Sequence, residues 1–311
     1  NMGEIFKTLQ KIDVFPANIF DGSEWYYAET VIKAQEKETI WLGQLMSYDA
    51  KLDNSTRIKF QKFDSSITGL NSNVDDRIKD DKDQSNASNV VSIPVRWKAY
   101  KKIKRGNSFQ MTEEEDDTIP WKERPFVEMD LEKISSNGVP KITMKVMDIK
   151  IADDYFSFSL FDTETKLKTR YSFRKVVKTD YPVRNYSRDD EKNFGFFYTE
   201  KDHLRTTDVY SQADVEKNRF LARFHPGKPI VYHFTKTTPD WIRAACKEVL
   251  ASWSQAFAIA GSKATVELSD EDVDLGDIRY NALNMIETVA GTNLFGVGPS
   301  LAEPTTGEII S

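Results

Sequence analysis

Three histidines, one cysteine and a run of carboxylates are the side chains best suited to hold a metal or move a proton in this 311-residue sequence. The histidines are His203, His225 and His233, 22 and 8 positions apart. No two stand at the i, i+4 spacing that lets one helix face offer two imidazoles to one ion. His233 lies inside an apolar run and reads as a packed or hydrogen-bonded histidine. His225, before Pro226-Gly227, reads as a loop residue, and His203 as an exposed one. The single cysteine, Cys246, excludes an internal disulfide and any cysteine-rich zinc site. It falls on an apolar helical stripe, which makes it a small core residue. Asp270, Glu271, Asp272, Asp274 and Asp277 offer oxygen ligands but lack the EF-hand spacing and its terminal glutamate, so they read as a solvated acidic turn. The EEEDD run from Glu113 to Asp117 reads as an exposed turn. Ser252 and Ser254 have no histidine and aspartate arranged to activate them, and neither nucleotide-binding glycine motif occurs. No catalytic residue and no metal ligand is therefore assigned within these residues.

Charge and composition bound the partners. The net charge is −6, yet residues 261–311 hold two basic side chains, Lys263 and Arg279, against nine acidic ones, a net of −7, which leaves the rest near +1. Neither part has the concentrated basic excess that neutralising phosphates requires, so no nucleic-acid partner is expected. The hydrophobic set is 39% of the chain and no run approaches the roughly 18 to 20 apolar residues of a membrane span, so no transmembrane segment is expected. Nineteen Phe, 12 Tyr and 6 Trp argue for a folded chain. The length suits two domains at roughly 150 residues each. Asn1-Met2-Gly3 opens without a basic or apolar leader, which fits a cytosolic protein or an exported one whose signal has been removed.

The elements that must position any site are mostly strands. Residues 71–89, NSNVDDRIKDDKDQSNASN, carry too little apolar surface to offset their ordering entropy and read as a long exposed loop. Around that loop, WYYAETVIKAQ (25–35), ETIWLGQLM (38–46), STRIKFQKF (55–63), VVSIPVRW (90–97) and ERPFVEMDL (123–131) have strand composition. In KITMKVMDIKI (141–151) the apolar phase runs Ile142, Met144, Val146 and then slips to Met147, Ile149, Ile151, which predicts a β-bulge. YFSFSLF (155–161) and KLKTRYSF (166–173) flank Asp162-Thr163-Glu164-Thr165 and predict a hairpin. Its second strand puts Leu167, Thr169, Tyr171 and Phe173 on one face and Lys166, Lys168, Arg170 and Arg174 on the other, a basic ladder read as the wet side of the sheet. Residues 179–227 read as an extended connection.

After residue 227 the pattern changes to α/β. KPIVYHF (228–234) reads as a buried central strand. Thr238-Pro239-Asp240 supplies an N-cap, a first-turn proline and an acid, and Ile242, Cys246, Val249, Leu250, Trp253 and Phe257 follow at helical spacing up to Gly261, predicting a helix over 239–260. KATVEL (263–268) and IRYNALNMI (278–286) read as strands, with a parallel crossover between the first two.

The order IVYHF, TPDWIRAACKEVLASWSQAFAIAG, DIRYNALNMI and FGVGPSLAEPTTGEIIS resembles the first half of a metzincin-type zinc metallopeptidase domain, of the large bacterial zincin-like kind with a β-rich region ahead of it. The resemblance rests on Trp253 and Phe257 near the end of the long helix and on Asp277-x-Arg279-Tyr280. It also uses Gly298-Pro299-Ser300 and Pro304-Thr305-Thr306-Gly307-Glu308-Ile309, with Glu303 where the family tends to place Asp. It implies an α+β fold: a β-rich part over 1–178, the connection over 179–227, and a partial catalytic domain over 228–311. It further implies peptide-bond hydrolysis by zinc-activated water, a peptide or protein substrate, and export to the periplasm or outer membrane. Gly298, Pro299, Ser300, Leu301 and Ala302 are then expected to form an exposed edge that binds substrate by strand addition. The H-E-x-x-H helix that would hold zinc is missing, so zinc is implied for a longer parent and not for these residues, which read as a truncated or partial piece. The competing expectation is a non-catalytic β-rich binding or adhesion module with a degenerate protease-like segment. No oligomeric state is indicated.

Overall fold

Period-two alternation of aromatic and β-branched residues carries most of the first 175 residues into one antiparallel sheet. The computed structural model describes residues 14–33, 44–45, 57–71, 89–136, 139–140, 144–193, 195–204, 215–285, 298 and 300–311. Its strands up to that point are β1 (Val14–Pro16), β2 (Glu24–Lys33), β3 (Gln44–Leu45), β4 (Arg57–Lys62), β5 (Ser66–Asn71), β6 (Asn89–Lys98), β7 (Tyr100–Arg105), β8 (Ser108–Glu115), β9 (Phe126–Met129), β10 (Ser135–Ser136), β11 (Val139–Pro140), β12 (Met144–Ile151), β13 (Tyr155–Asp162) and β14 (Leu167–Lys175). Twelve of them form the sheet, along the path β1-β9-β6-β5-β4-β2-β14-β13-β12 with β3, β10 and β11 attached, while β7 and β8 pair with each other as a separate two-stranded sheet among the described residues. Residues 72–88 of the expected loop lie outside the described residues; Asn71 ends β5 and Asn89 opens β6.

One face of this sheet holds the main core, built from Trp25, Tyr27, Ile58, Phe60, Ile93, Trp97, Phe156, Phe158, Tyr171 and Phe173. Direct cross-strand partners stack there: Phe156 on Phe173 at 5.4 Å and Phe158 on Tyr171 at 5.1 Å between ring centres. Each buried aromatic contributes about 1.5–3 kcal/mol of transfer free energy, and the stacked pairs add to it. The expected bulge is present. Pairing with β13 jumps from Met147↔Ser159 to Lys150↔Ser157, and Asp148 takes φ +54 at the extra residue. The 162–165 hairpin closes on Asp162, whose Oδ1 accepts the backbone N–H of Glu164 at 2.8 Å and of Thr165 at 3.2 Å. EEEDD differs from expectation: Glu113–Glu115 end β8, where Glu115 accepts from the buried Lys98 at 2.8 Å, and only Asp116 and Asp117 lie beyond the strand.

The connection over 179–227 has more structure than its polarity suggests. It contains α1 (Arg188–Asn193) and a hairpin of β15 (Tyr198–Leu204) and β16 (Val215–Leu221). Tyr186 stacks on Tyr198 at 4.8 Å and the Arg219 guanidinium lies 4.6 Å from the Tyr198 ring centre, so scattered aromatics and cations organise it locally.

The last part is a three-stranded parallel sheet in the order β18 (Val266–Leu268), β17 (Ile230–Phe234), β19 (Asn281–Leu283), so the apolar run at 230–234 is central as expected. Helix α2 (Asp240–Ile259) connects β17 to β18 and ends in a Schellman turn. There Gly261 has φ +74, Gly261 N–H donates to Ala258 O, and Ser262 N–H donates to Phe257 O. Thr238 does not cap the helix. Its hydroxyl is turned to Leu283 O and Thr235 Oγ1, and Pro239 stands at the N-cap. On the helical stripe only Leu250 is buried; Cys246 is half-buried, and Val249 and Trp253 are each 55% exposed. Of the expected strand over 278–286, residue 286 lies outside the described residues and the rest forms a strand only over Asn281–Leu283, because Asp277 takes Tyr280 N–H on its backbone oxygen and Arg279 N–H on its carboxylate, making a turn. Among the described residues no helix is long and apolar enough to cross a membrane. The architecture is α+β and dominated by strands.

Candidate functional site

The chemistry-bearing residues of the C-terminal part converge on the second face of the large sheet. That face was expected to be wet, and it is covered. Ala28, Ser157, Ser159 and Ser172 are fully buried, and Arg170 is 2% exposed. The small side chains of Ala28 and the three serines leave room for a second layer, and the 273–278 segment enters it, with Ser172 on Gly276 and Ile278 packed with Ala28. Gly276, at φ +86, comes so close that a Cβ there would stand 2.7 Å from Thr30 Oγ1. Ser172 Oγ donates to Gly276 O at 2.6 Å. Arg174 Nη1 donates to Ile278 O and to Ile310 O, each at 3.1 Å. One member of the basic ladder thus meets an acid of the same chain: Asp274 lies 3.8 Å from Arg170 and 2.9 Å from Lys236, and also pairs with Lys150. Burial alone would favour the protonated acid, but these cations outweigh it and hold the Asp274 carboxyl down at about 2.

The motif residues are anchors of this joint. Asp277, 3% exposed, accepts a fork from Arg279, Nε to Oδ1 at 2.9 Å and Nη2 to Oδ2 at 2.7 Å. The same guanidinium lies 4.0 Å from the ring centre of the buried Tyr155 on β13. Glu303, 6% exposed, takes Arg57 Nη1 from β4 at 2.8 Å and Thr305 N–H at 3.1 Å on one oxygen, and the Tyr26 hydroxyl from β2 on the other. Burial and the neighbouring Glu303 carboxylate push the Tyr26 phenol well above its ordinary range. Glu308 accepts Thr179 Oγ1 at 2.5 Å.

Of the edge expected over Gly298–Ala302, the last two residues are covered. Leu301 and Ala302 are 1% and 3% exposed; Leu301 packs with Tyr26, Ala28, Tyr155 and Ile278. Leu301 N–H donates to Ser311 O at 2.8 Å, and Leu301 O accepts Ile310 N–H at 2.7 Å, so residues 301–311 pair with themselves as a tight hairpin. Turn chemistry at Pro304–Gly307 together with apolar neighbours favours this closure over an exposed edge. Gly298 is exposed, Ser300 is half-buried, and Pro299 lies outside the described residues.

Beside the joint is a cleft of about 500 Å³. Arg174 and Lys175 from the end of β14, Lys228 and His233 from the β17 segment, and Arg279 and Tyr280 line it. His233 donates from Nδ1 to Glu271 O at 3.0 Å and lies 4.7 Å from the Tyr280 ring centre. His225 accepts Gly227 N–H on Nδ1, which leaves Nε2–H to donate to Asp180 at 3.1 Å. His203 belongs to β15, and its side chain lies outside the described residues. Among the described residues no group of three His, Cys, Asp or Glu side chains is placed to hold a metal ion. The joint was legible only in the small residues Ser157, Ser159 and Ser172, whose alternation with aromatics permits layers on both faces. Compared with protein-family models, curated proteins and solved structures, the chain matches none of them.

Proposed function

We propose that this chain is the leading portion of a zinc-dependent peptidase, exported from its cell, in which the large sheet is a fixed platform for the layer that opens the catalytic domain. The observation carrying this reading is the joint itself. Of the elements whose order resembles a metzincin-type domain, β17 and α2 belong with β18 and β19 to a parallel layer in which β17 is central. The two motif turns, Asp277-Arg279-Tyr280 and Pro304–Ile309, are pinned to β2, β4 and β14 by Glu303, Ser172 and Arg174. Peptide-bond hydrolysis is the activity and a peptide or protein the substrate. In this reading zinc is held by sequence following Ser311. Because Leu301 and Ala302 are buried, substrate pairing is not assigned to them.

Reading the gene beyond Ser311 tests this. A helix with H-E-x-x-H within roughly a few tens of residues, and casein hydrolysis lost on replacing its glutamate by glutamine, is the expected result. A stop codon at that point, or a longer polypeptide that neither holds zinc nor cleaves peptides, would overturn the reading in favour of a β-rich binding or adhesion module.

A further inference from the structure

The two arginines that line the cleft are used in opposite ways. Arg279 spends its Nε/Nη2 edge on Asp277 in a bidentate fork. Arg174 spends only Nη1, on two neutral carbonyls, and its Nε and Nη2 have no partner among the described residues. That idle edge is the part of a guanidinium whose geometry matches the two oxygens of a carboxylate or phosphate. Burial pulls the Arg174 guanidinium below the usual arginine range against the opposing pull of Tyr26, Asp154, Asp277 and Glu308, none of which stands in ion-pair contact with it.

Two more cations line the same space, and neither Lys175 nor Lys228 has an ion pair among the described residues. The opposing acids on the lining are Asp154 and Glu308, and Glu308 is already held by Thr179. Tyr280, Ile230 and Ile310 supply apolar wall. About 500 Å³ is far more than one small oxyanion fills and falls within the range of pockets that take organic ligands.

We propose that this cleft binds an anionic organic ligand, whose carboxylate or phosphate seats on the Arg174 Nε/Nη2 edge between Lys175 and Lys228 while its body lies against Tyr280 and Ile310. The proposal stands apart from the peptidase reading, since it uses only groups on this chain and requires no metal.

Isothermal titration of the whole chain with N-acetyl-triglutamate, with the neutral N-acetyl-triglutamine amide, and with inorganic phosphate tests it. Triglutamate is expected to bind saturably, one per chain, more tightly than the neutral peptide, and more weakly as salt is raised. Lys175→Glu with Lys228→Glu, the first half-buried and the second exposed, should raise its Kd by about tenfold or more. Arg174→Lys, which keeps the charge and loses the fork, should do so too, with the thermal transition followed to show that the fold persists. Phosphate that competes means the oxyanion suffices; phosphate that does not means the body of the ligand is read. Failure of both anions to bind at about 10 mM, equal binding of charged and neutral peptides, or unchanged affinity in the double lysine variant would overturn the proposal.

Discussion

Arg57 Nη1 donates to Glu303 Oε1 at 2.8 Å although 246 positions separate the two residues. The contact joins β4 of the large sheet to the C-terminal turn, and Tyr26 from β2 closes it from the other side. Replacing Glu303 by Ala leaves Arg57 with Glu24 alone and Tyr26 without its acceptor, so a loss of about 3–5 kcal/mol is expected. Urea unfolding measures it. Glu303→Gln, which keeps the shape and an acceptor, should lose less, and Glu248→Ala on the exposed side of α2 should change little.

Gly307 and Gly261 both take positive φ, +77 and +74, but in different surroundings. A Cβ on Gly307 would stand 2.3 Å from the backbone oxygen of Leu221, whereas one on Gly261 meets nothing within 4 Å. Gly307→Ala should therefore displace the 301–311 hairpin from β16 and cost about 3 kcal/mol or more, and Gly261→Ala about 1 kcal/mol. Thermal unfolding of the two variants side by side separates a steric cost from a purely conformational one.

Asp274 ionises at about 2 in the folded chain against an ordinary value of 3.8. Because the folded value is the lower one, its contribution is complete well above pH 4 and fades as pH falls toward 2. With solvent screening allowed for, it is worth about 1–2 kcal/mol. Asp274→Asn should be less stable than the parent at pH 6 by that amount, and the difference should vanish near pH 2. A constant difference across that window would remove the link to ionisation.

Leu301→Pro tests the closed hairpin. It deletes the N–H that donates to Ser311 O and disturbs a side chain packed on Tyr26 and Tyr155. A loss of about 3 kcal/mol or more is expected in equilibrium unfolding. Unchanged stability would mean that the 301–311 pairing contributes nothing to the fold.

The parts of this fold legible in the sequence are those governed by local periodicity. The phase slip at Met147 located the bulge that Asp148 occupies, and the 162–165 turn and the 240–259 helix follow from residues adjacent in the chain. Long-range coverage was not legible. Alternation on β14 distinguishes two faces but does not say that both are buried, and Arg170 looks like a solvated cation until Asp274 is brought over it from 104 positions away. Thr238 shows the same limit: its type suits an N-cap, yet the Leu283 carbonyl, supplied by a strand far along the chain, takes its hydroxyl. Glu303 had only its position in a motif to mark it, and its partners come from β2 and β4.

That the large sheet and the β17–α2–β18–β19 layer act as one body is tested most directly by amide hydrogen exchange in increasing urea, followed at β13–β14 and at β17 in the same sample. Protection at Phe156–Leu160 and at Ile230–Phe234 should collapse in one transition with one denaturant dependence, and Glu303→Ala should shift both together. Loss of protection across β17 and α2 at urea concentrations where β13 and β14 remain fully protected would contradict the account.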